Sequence, residues 1–250
     1  MKDQYFGDVN DFRKYGLLRN LLLPMQLKLG VCWMLTPGDG RSDGKFLSYL
    51  EHPQRFQHFD PPLFQWLKSV VVHANDRRVA RIEASDLFPN AIFQSPYLID
   101  NGSQRSQYFA ECSKMFRQCD VVFFDPDNGV EISSVKKGGR NSAKFVFWDE
   151  LFAAYSAGAS VLVYQHFPRL ERTKFIADLA SQLGLKLGAR SVFTFRTPHV
   201  VFLLAAQDRH VSGFRRELGT IEKVWRTDGS RTKPQIVPAE CHIIEGIGQL

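Results

Sequence analysis

The sequence has few cysteines and no long apolar run. Its 250 residues include four cysteines, at positions 32, 112, 119 and 241, and no two of them form a C-x-x-C pair. A disulfide scaffold or a structural zinc site is therefore not expected, and reduced thiols are typical of a cytoplasmic protein. No apolar segment approaches the length that a membrane-spanning helix needs. Acidic residues at positions 3, 8 and 11 are unlike a signal or transit peptide.

The composition is that of an ordered, mildly basic protein. Apolar residues make up 44% and charged residues 23% of the chain, which suits a folded domain with a sizeable core and excludes low complexity. The net charge is +6. An excess of basic residues favours an anionic partner such as nucleic acid, but a charge of this size does not require one.

Apolar periodicity predicts helices that alternate with short strands. The predicted helices cover 11–23, 45–50, 63–73, 104–117, 148–155 and 170–183, and Asn10 is the expected cap of the first. The predicted strands cover 31–35, 79–83, 91–100, 120–124, 160–164, 191–196 and 200–206. This alternation predicts an α/β fold with a mostly parallel sheet and a final antiparallel strand. We predict one domain over 1–250, with an N-terminal helical extension (1–25) and a C-terminal extension (207–250).

Candidate functional residues follow three predicted strands, because ligands of open α/β sheets bind at the carboxyl ends of the strands. The strand at 31–35 precedes a turn, 36–40, whose glycines allow close approach of a ligand to the backbone. The strand at 79–83 ends in Glu83, which either accepts hydrogen bonds from a ribose diol or is simply solvated. His166 ends a later strand, where a structural role and a functional one are equally compatible with the pattern.

The sharpest local feature is the segment 125–129, Asp-Pro-Asp-Asn-Gly, which follows four large apolar residues. A carboxylate at the end of a buried strand is costly to leave unpaired, so Asp125 is predicted to be functional. The oxygens of Asp125, Asp127 and Glu131 also suit a hard cation, which leaves a metal-dependent nuclease or phosphoesterase as an alternative. The spacing does not match an EF-hand loop.

Taken together, these segments resemble the S-adenosylmethionine-dependent methyltransferases, and most closely the ribosomal RNA adenine-N6 methyltransferase family RlmJ. Similar segments follow one another in order over residues 5–206. They are the stretch 7–15, the Gly-Asp-Gly-Arg loop at 38–41, Ile-Glu at 82–83, Asp-Asn-Gly at 100–102 and Asp-Pro at 125–126. The resemblance implies a Rossmann-like methyltransferase fold with an added N-terminal helix and S-adenosylmethionine as cofactor. It also implies methylation of an amino group of a nucleic-acid base, with RNA preferred over DNA.

The resemblance and the positions described above together predict a role for individual residues. Asp125 would orient the acceptor amine, Lys14 would position substrate or cofactor, and Asn128 would be a second contact to the acceptor. The implied cofactor contacts are Tyr15, Thr36, Gly38, Gly40, Glu83, Asn101, Gly102 and Asp125. The predicted substrate contacts are Asp11, Lys137, Arg140 and His166, and no residue is assigned to a metal. Basic residues within 136–144 and 169–174 would meet phosphates.

The chain departs from that family in the segment that carries the chemistry. Asp127 and Asn128 replace the second proline and the aromatic residue of the family's Asp-Pro-Pro-Tyr. That aromatic residue stacks on a flipped base, a contact that contributes roughly 1–3 kcal/mol per base. The departure therefore leaves open a methyltransferase-like protein that binds nucleic acid without catalysis.

Overall fold

Strands from most of the chain assemble into one central sheet. The computed structural model describes residues 1–38, 46–226 and 244–245. Its strands are β1 (Leu29–Cys32), β2 (Ile92–Gln94), β3 (Val121–Phe124), β4 (Gly129–Val130), β5 (Phe145–Val146), β6 (Ser160–His166), β7 (Ser191–Arg196), β8 (Val200–Ala206) and β9 (Ile244–Glu245). Within the described residues, seven of them form one sheet in the order β2-β1-β3-β6-β8-β7-β9, and β4 and β5 form a separate parallel pair.

The sheet is parallel at its centre. Strands β2, β1, β3 and β6 run parallel to one another, whereas β8 lies antiparallel between β6 and β7. The sequence prediction of an α/β fold with a mostly parallel sheet is confirmed. The predicted antiparallel direction of the last strand, 200–206, is confirmed as well.

Eight α-helices of the described residues flank the sheet. They are α1 (Val9–Leu22), α2 (Pro53–Phe56), α3 (Pro61–Leu67), α4 (Ala80–Glu83), α5 (Gly102–Met115), α6 (Trp148–Ser156), α7 (Arg172–Leu187) and α8 (Asp208–Arg226). A π-helical segment, Lys68–His73, continues α3, and short 3-10 helices cover Asp3–Tyr5, Ser48–Glu51, Gln57–Phe59 and Ser142–Lys144. No helix of these residues has the length and apolarity that crossing a membrane demands.

Each face of the sheet buries its own apolar layer, as expected for parallel strands covered on both sides. Helices α1, α3 and α8 pack on one face, where they bury aromatic side chains against Phe123 and Leu162. Helices α5, α6 and α7 pack on the other face against Val122 and Val163. Cys32 and Cys112 lie in this second layer as buried free thiols.

Three local predictions are wrong. The segment predicted as the strand 79–83 contains helix α4 (Ala80–Glu83) instead, because the cap residue Val79 and Ile82, three positions apart, are both buried. Asp8 caps α1 instead of Asn10, since its carboxylate accepts hydrogen bonds from the backbone nitrogens of residues 10 and 11. Helix α8 was not predicted, although Phe214, Leu218 and Ile221 have helical spacing and are buried.

The topology places a crevice beside β1. From β1 the chain continues to β2 on one side of it and later returns to β3 on the other side. Such a reversal in strand order separates the loops that follow the two strands, and ligands of open α/β sheets bind in the resulting crevice. The loop after β1 and the turn after β3 therefore border the expected site.

Candidate functional site

A cavity of about 1170 Å³ opens at the carboxyl ends of β1, β3 and β6. Thr36 and Pro37 line it from the loop after β1, and residues 125–128 line it from the turn after β3. Helix α1 closes its floor with Asp8, Asn10, Asp11 and Lys14, and residues 166–170 form the wall after β6. The cavity thus lies where the strand order predicts a ligand site.

An ion-paired lysine forms the floor. The Lys14 ammonium lies 2.8 Å from Asp11 Oδ1 and 2.6 Å from Asp125 Oδ2, and all three side chains are buried. Burial alone would lower the pKa of Lys14, but the two carboxylates outweigh it and raise that pKa above its ordinary value. Desolvation raises the pKa of Asp125 despite the nearby ammonium. A cation of the N-terminal helix is therefore held against the carboxylate that follows β3.

The second carboxylate of the turn has separate partners. Asp127 accepts a hydrogen bond from the Thr36 hydroxyl at 2.7 Å, and the Met1 amino group lies 2.8 Å from its other oxygen. Desolvation opposes the ionisation of Asp127, but the Met1 amino group and the hydroxyl lower its pKa overall. These contacts join the turn after β3 to the loop after β1 across the crevice.

Asp8 is a further acidic group of the cavity, and its pKa is raised. Desolvation and the nearby Asp11 carboxylate raise the pKa of Asp8 to about 6, against the opposing effect of its two capping hydrogen bonds. A carboxyl group with so high a pKa takes up and releases a proton close to neutral pH, a property common among functional groups. Nothing in the sequence distinguishes Asp8 as functional, because an aspartate at the start of a helix usually serves as its cap.

A glycine and a glutamine fix the turn after β3. Gly129 has φ of +127°, and a Cβ atom there would lie 2.1 Å from Gln165 Oε1. The Gln165 amide accepts from the Val130 nitrogen and donates to the Asn128 carbonyl at 3.1 Å. Glycine is therefore required at this position both by its φ and by the close approach. The exposed Asn128 side chain is left at the cavity surface.

The rim of the cavity is basic. Lys144, Arg169 and Arg172 line it, and none of them forms an ion pair with an acidic residue in the part of the chain that the structure describes. Desolvation lowers the pKa of His166, and desolvation followed by nearby arginines lowers that of His199. The two imidazoles are therefore neutral at pH 7, and the rim carries its positive charge on Lys144, Arg169 and Arg172.

A buried ion pair anchors the loop between β4 and β5. Arg105 on α5 contacts both oxygens of Glu150, at 2.6 and 2.7 Å, and donates to the carbonyls of Ser142 and Phe145. Lys137 pairs with Asp149 and Glu150 beside this cluster. Arg140 is exposed, and neither Lys137 nor Arg140 belongs to the cavity wall. Their predicted substrate contacts stay predictions.

The predicted cofactor residues fall into two groups. Thr36 and Asp125 line the cavity. Tyr15 is fully buried behind Asp11, to which its hydroxyl donates, and Glu83 accepts hydrogen bonds from Trp33 Nε1 and Ser95 at 2.8 and 2.7 Å. Glu83 also lies off the cavity wall, so the structure gives it a packing role and leaves its ribose contact a prediction.

The remaining predicted residues lie near the loop after β2 and the loop after β1. Asn101 caps α5 through the Gln104 nitrogen, and Gly102 packs so closely on Gly138 that a Cβ at 138 would lie 2.6 Å from the Gly102 Cα. Asp100, just before them, does line the cavity. Gly38 is exposed, and Gly40 lies outside the described residues.

No family model matches the chain, and no curated protein matches its sequence. The site must therefore be interpreted from its own geometry.

The carboxylates of the site do not assemble into a metal centre. Among the residues that the structure describes, no group of three His, Cys, Asp or Glu side chains is placed to hold a metal ion. Asp125 and Asp127 are instead paired with amino groups, and Glu131 lies off the cavity wall. The geometry does not support the nuclease alternative.

Sequence reasoning missed three parts of the site. These are Asp8, the half-buried Phe167 that follows His166 on the cavity wall, and the segment around Leu98 and Ile99 after β2. Phe167 had a recognisable signal, because it directly follows a strand whose carboxyl end faces the same crevice.

Proposed function

We propose that this protein is an S-adenosylmethionine-dependent methyltransferase that acts on an amino group of a nucleic-acid base, with RNA as the preferred substrate. The observation that carries the proposal is the position of Asp125. Its buried carboxylate ends a central parallel strand, lines a cavity at the reversal of strand order and pairs with Lys14 of the N-terminal helix. The resemblance to adenine-N6 methyltransferases implied this arrangement of an Asp-Pro turn, a glycine-containing loop and an N-terminal lysine.

The finer fold assignment is part of this proposal. The central strands are parallel, β8 lies antiparallel between β6 and β7, and a helix is added at the N-terminus. These features agree with the Rossmann-like methyltransferase fold that the resemblance implies. The cavity is large enough for a nucleoside cofactor together with part of a substrate, since small-molecule sites occupy roughly 300–1,000 Å³. Thr36, Pro37 and Asp100 are the residues of this chain that would border the cofactor.

Asp125 would act on the acceptor amine. When bound, S-adenosylmethionine supplies an electrophilic methyl group. A carboxylate accepts several hydrogen bonds, so the contact between Asp125 Oδ2 and Lys14 leaves it able to accept another from the amine. The raised pKa of Asp125 also suits it to take up the proton that the amine releases. Most of the rate would come from positioning, because the carboxylate is fixed by its partners before substrate binds.

Isothermal titration calorimetry with S-adenosylmethionine, with and without magnesium, tests the cofactor. We expect saturable binding that is independent of magnesium. Heat from magnesium alone, with none from S-adenosylmethionine, would overturn the proposal in favour of metal-dependent hydrolysis.

Transfer of tritiated methyl groups to total RNA tests the reaction. We expect Asp125→Asn to lower the rate at least about 100-fold, the usual scale for loss of a positioned acid–base group. Asp178→Asn, which changes an exposed carboxylate on α7, is the matched control and should retain the rate. Cofactor binding without any methyl transfer by the wild-type chain would instead identify a binding protein that is not an enzyme.

A further inference from the structure

The cavity has no aromatic residue at position 128, where the resembling family has one. Asn128 is exposed at the cavity surface, and its amide cannot replace the broad apolar contact that an aromatic ring makes with a base. A base whose amino group reaches Asp125 still needs a surface to stack on, because that carboxylate is only 2% exposed at the floor of the cavity. Another part of the wall must provide it.

Phe167 is placed to provide that surface. It follows His166, whose backbone nitrogen donates to the Asn128 carbonyl at 3.1 Å, so residues 167 and 128 belong to neighbouring parts of one wall. The Phe167 ring is half-buried and packs edge-to-face on Phe175, with ring centroids 6.2 Å apart. This packing supports the ring from behind while it remains on the cavity wall.

One cation lies over this ring, and two more line the same cavity. The Arg172 guanidinium lies 5.1 Å from the centroid of the Phe167 ring, and Arg169 and Lys144 line the same rim. None of the three has an acidic partner among the residues that the structure describes. An aromatic face bordered by unpaired cations matches a base attached to its phosphates, since bases stack on aromatic rings and phosphates pair with Arg and Lys.

We infer that Phe167 is the stacking surface for an unpaired nucleotide whose flanking phosphates are bound by Arg169, Arg172 and Lys144. This inference rests on the proposed function and narrows its substrate to single-stranded or flipped-out bases. A base inside a duplex cannot reach a carboxylate at the floor of a concave site. The acidic floor and the basic rim also fix the orientation of the bound nucleotide, with its base pointing into the cavity and its phosphates at the rim.

Binding of a fluorescent single-stranded oligoribonucleotide tests the inference. The probe carries 8-vinyladenosine, which keeps the exocyclic amine and whose emission changes on stacking, and anisotropy gives its Kd for the full chain. We expect Phe167→Ala to weaken binding about 5- to 150-fold and to abolish the stacking signal, whereas Phe167→Tyr stays near wild type. Phe152→Ala, which removes an exposed ring from α6, is the matched control and should bind like wild type.

The salt dependence of Kd tests the phosphate contacts separately. Arg172→Gln should reduce the slope of log Kd against log salt by about 0.7, the amount expected for one phosphate of a single strand. An unchanged slope would contradict the assignment of Arg172. Equal Kd values for Phe167→Ala and Phe152→Ala, no binding of the probe by the wild type, or equal competition by a duplex of the same sequence would overturn the inference.

Failure of this inference can be separated from failure of the proposed function. Phe167→Ala should keep the wild-type affinity for S-adenosylmethionine, measured by calorimetry. Cofactor binding together with no effect of Phe167→Ala on the oligonucleotide overturns the stacking role alone. Stacking on Phe167 by a wild-type chain that binds no S-adenosylmethionine overturns the methyltransferase and leaves a single-strand binding site.

Discussion

Lys14 is the residue on which the electrostatics of the site depend. It neutralises two carboxylates that are buried with it, Asp11 and Asp125, at 2.8 and 2.6 Å. Removing one member of a buried ionic cluster leaves uncompensated charge in a poorly solvated place, which costs far more than the loss of an exposed ion pair. The charges of Lys14, Asp11 and Asp125 are thus stable in the cavity floor only when all three side chains are present.

Lys14→Met should lower the free energy of unfolding by about 3–5 kcal/mol at pH 7.5, measured by urea denaturation. The loss should be smaller at pH 5, because the orphaned carboxylates can then take up protons. Arg190→Met is the matched control: it breaks the exposed pair with Asp208 and should cost less than about 1 kcal/mol. Equal losses for the two variants would contradict the description of the floor.

Asp8 makes the stability of the protein depend on pH in an unusual direction. Its pKa of about 6 in the folded state exceeds its model-peptide value of 3.8. Between these two pH values the folded state binds more protons than the unfolded state. The stability contributed by this group is therefore fully present below about pH 4 and is lost as the pH rises through 6.

Asp8→Asn should remove this dependence while keeping the helix cap, because asparagine caps helices as well as aspartate does. We expect the variant to be more stable than wild type at pH 7.5 by about 1–3 kcal/mol and equal to it at pH 4. Urea denaturation at both pH values measures the difference. Asp178→Asn should show no such pH-dependent gain, and a gain shared by both variants would contradict the assignment to Asp8.

For individual residues, the sequence predicted the two partners of the Lys14–Asp125 contact but not the packing of the residues around them. Asp125 could be selected because a carboxylate follows four apolar residues, and Lys14 because of the resemblance. The pairing of Glu83 with Trp33 could not be predicted, since it depends on a helix that the pattern 79–83 did not reveal. Tyr15 stands where the resembling family has a histidine, and its ring is fully buried and does not line the cavity.

The loop between β4 and β5 is held by one side chain of α5, Arg105, which we call the clamp. The Arg105 guanidinium binds Glu150 through two hydrogen bonds and also holds the carbonyls of Ser142 and Phe145. The backbone nitrogen of Asn128, just before β4, donates to the Lys144 carbonyl at the end of this loop. The clamp on α5 therefore positions the turn after β3 from a distance.

Arg105→Met should cost about 3–5 kcal/mol of unfolding free energy, because it leaves the Glu150 carboxylate buried without a cation. Hydrogen exchange should show the amides of Asn128 and Glu131 losing protection before those of β6. Lys136→Met, an exposed change in the same loop, should leave the exchange pattern intact. Uniform loss of protection over the whole chain would argue against a local role for the clamp.

Elements with strong periodicity were predicted within a few residues, and short or mixed ones were not. Strands β7 and β8 match their predicted bounds, because continuous β-branched and aromatic runs of this length suit buried strands. Helix α4 has only four residues, too few for periodicity to distinguish it from a strand. Helix α8 was missed because its polar residues outnumber its apolar ones, although its buried positions repeat at helical spacing.

For the whole molecule, both apolar layers share one sheet. Leu162 and Val163 are neighbours on β6, and they belong to opposite layers. Disruption of the sheet would therefore expose both layers together. The prediction of one domain over 1–250 is tested by the following measurement.

Unfolding in urea should give coincident transitions by far-ultraviolet circular dichroism and by tryptophan fluorescence, since Trp33 reports on one layer and Trp148 on the other. Leu162→Ala and Val163→Ala should each shift both transitions together, by about 2–5 and 1–3 kcal/mol respectively. Two separated transitions, one for each probe, would contradict a single cooperative unit.

The partners of the Lys14–Asp125 contact are 111 positions apart in the chain. At a synthesis rate of about 5–20 residues per second, the ammonium leaves the ribosome roughly 6–22 s before the aspartate that completes its pairing. During that interval Asp11, three residues away, is the only one of its two hydrogen-bonded carboxylate partners already present, and the charged face of α1 is enclosed only after β3 has been synthesised. The floor of the cavity therefore cannot be completed until half of the 250-residue chain has been synthesised.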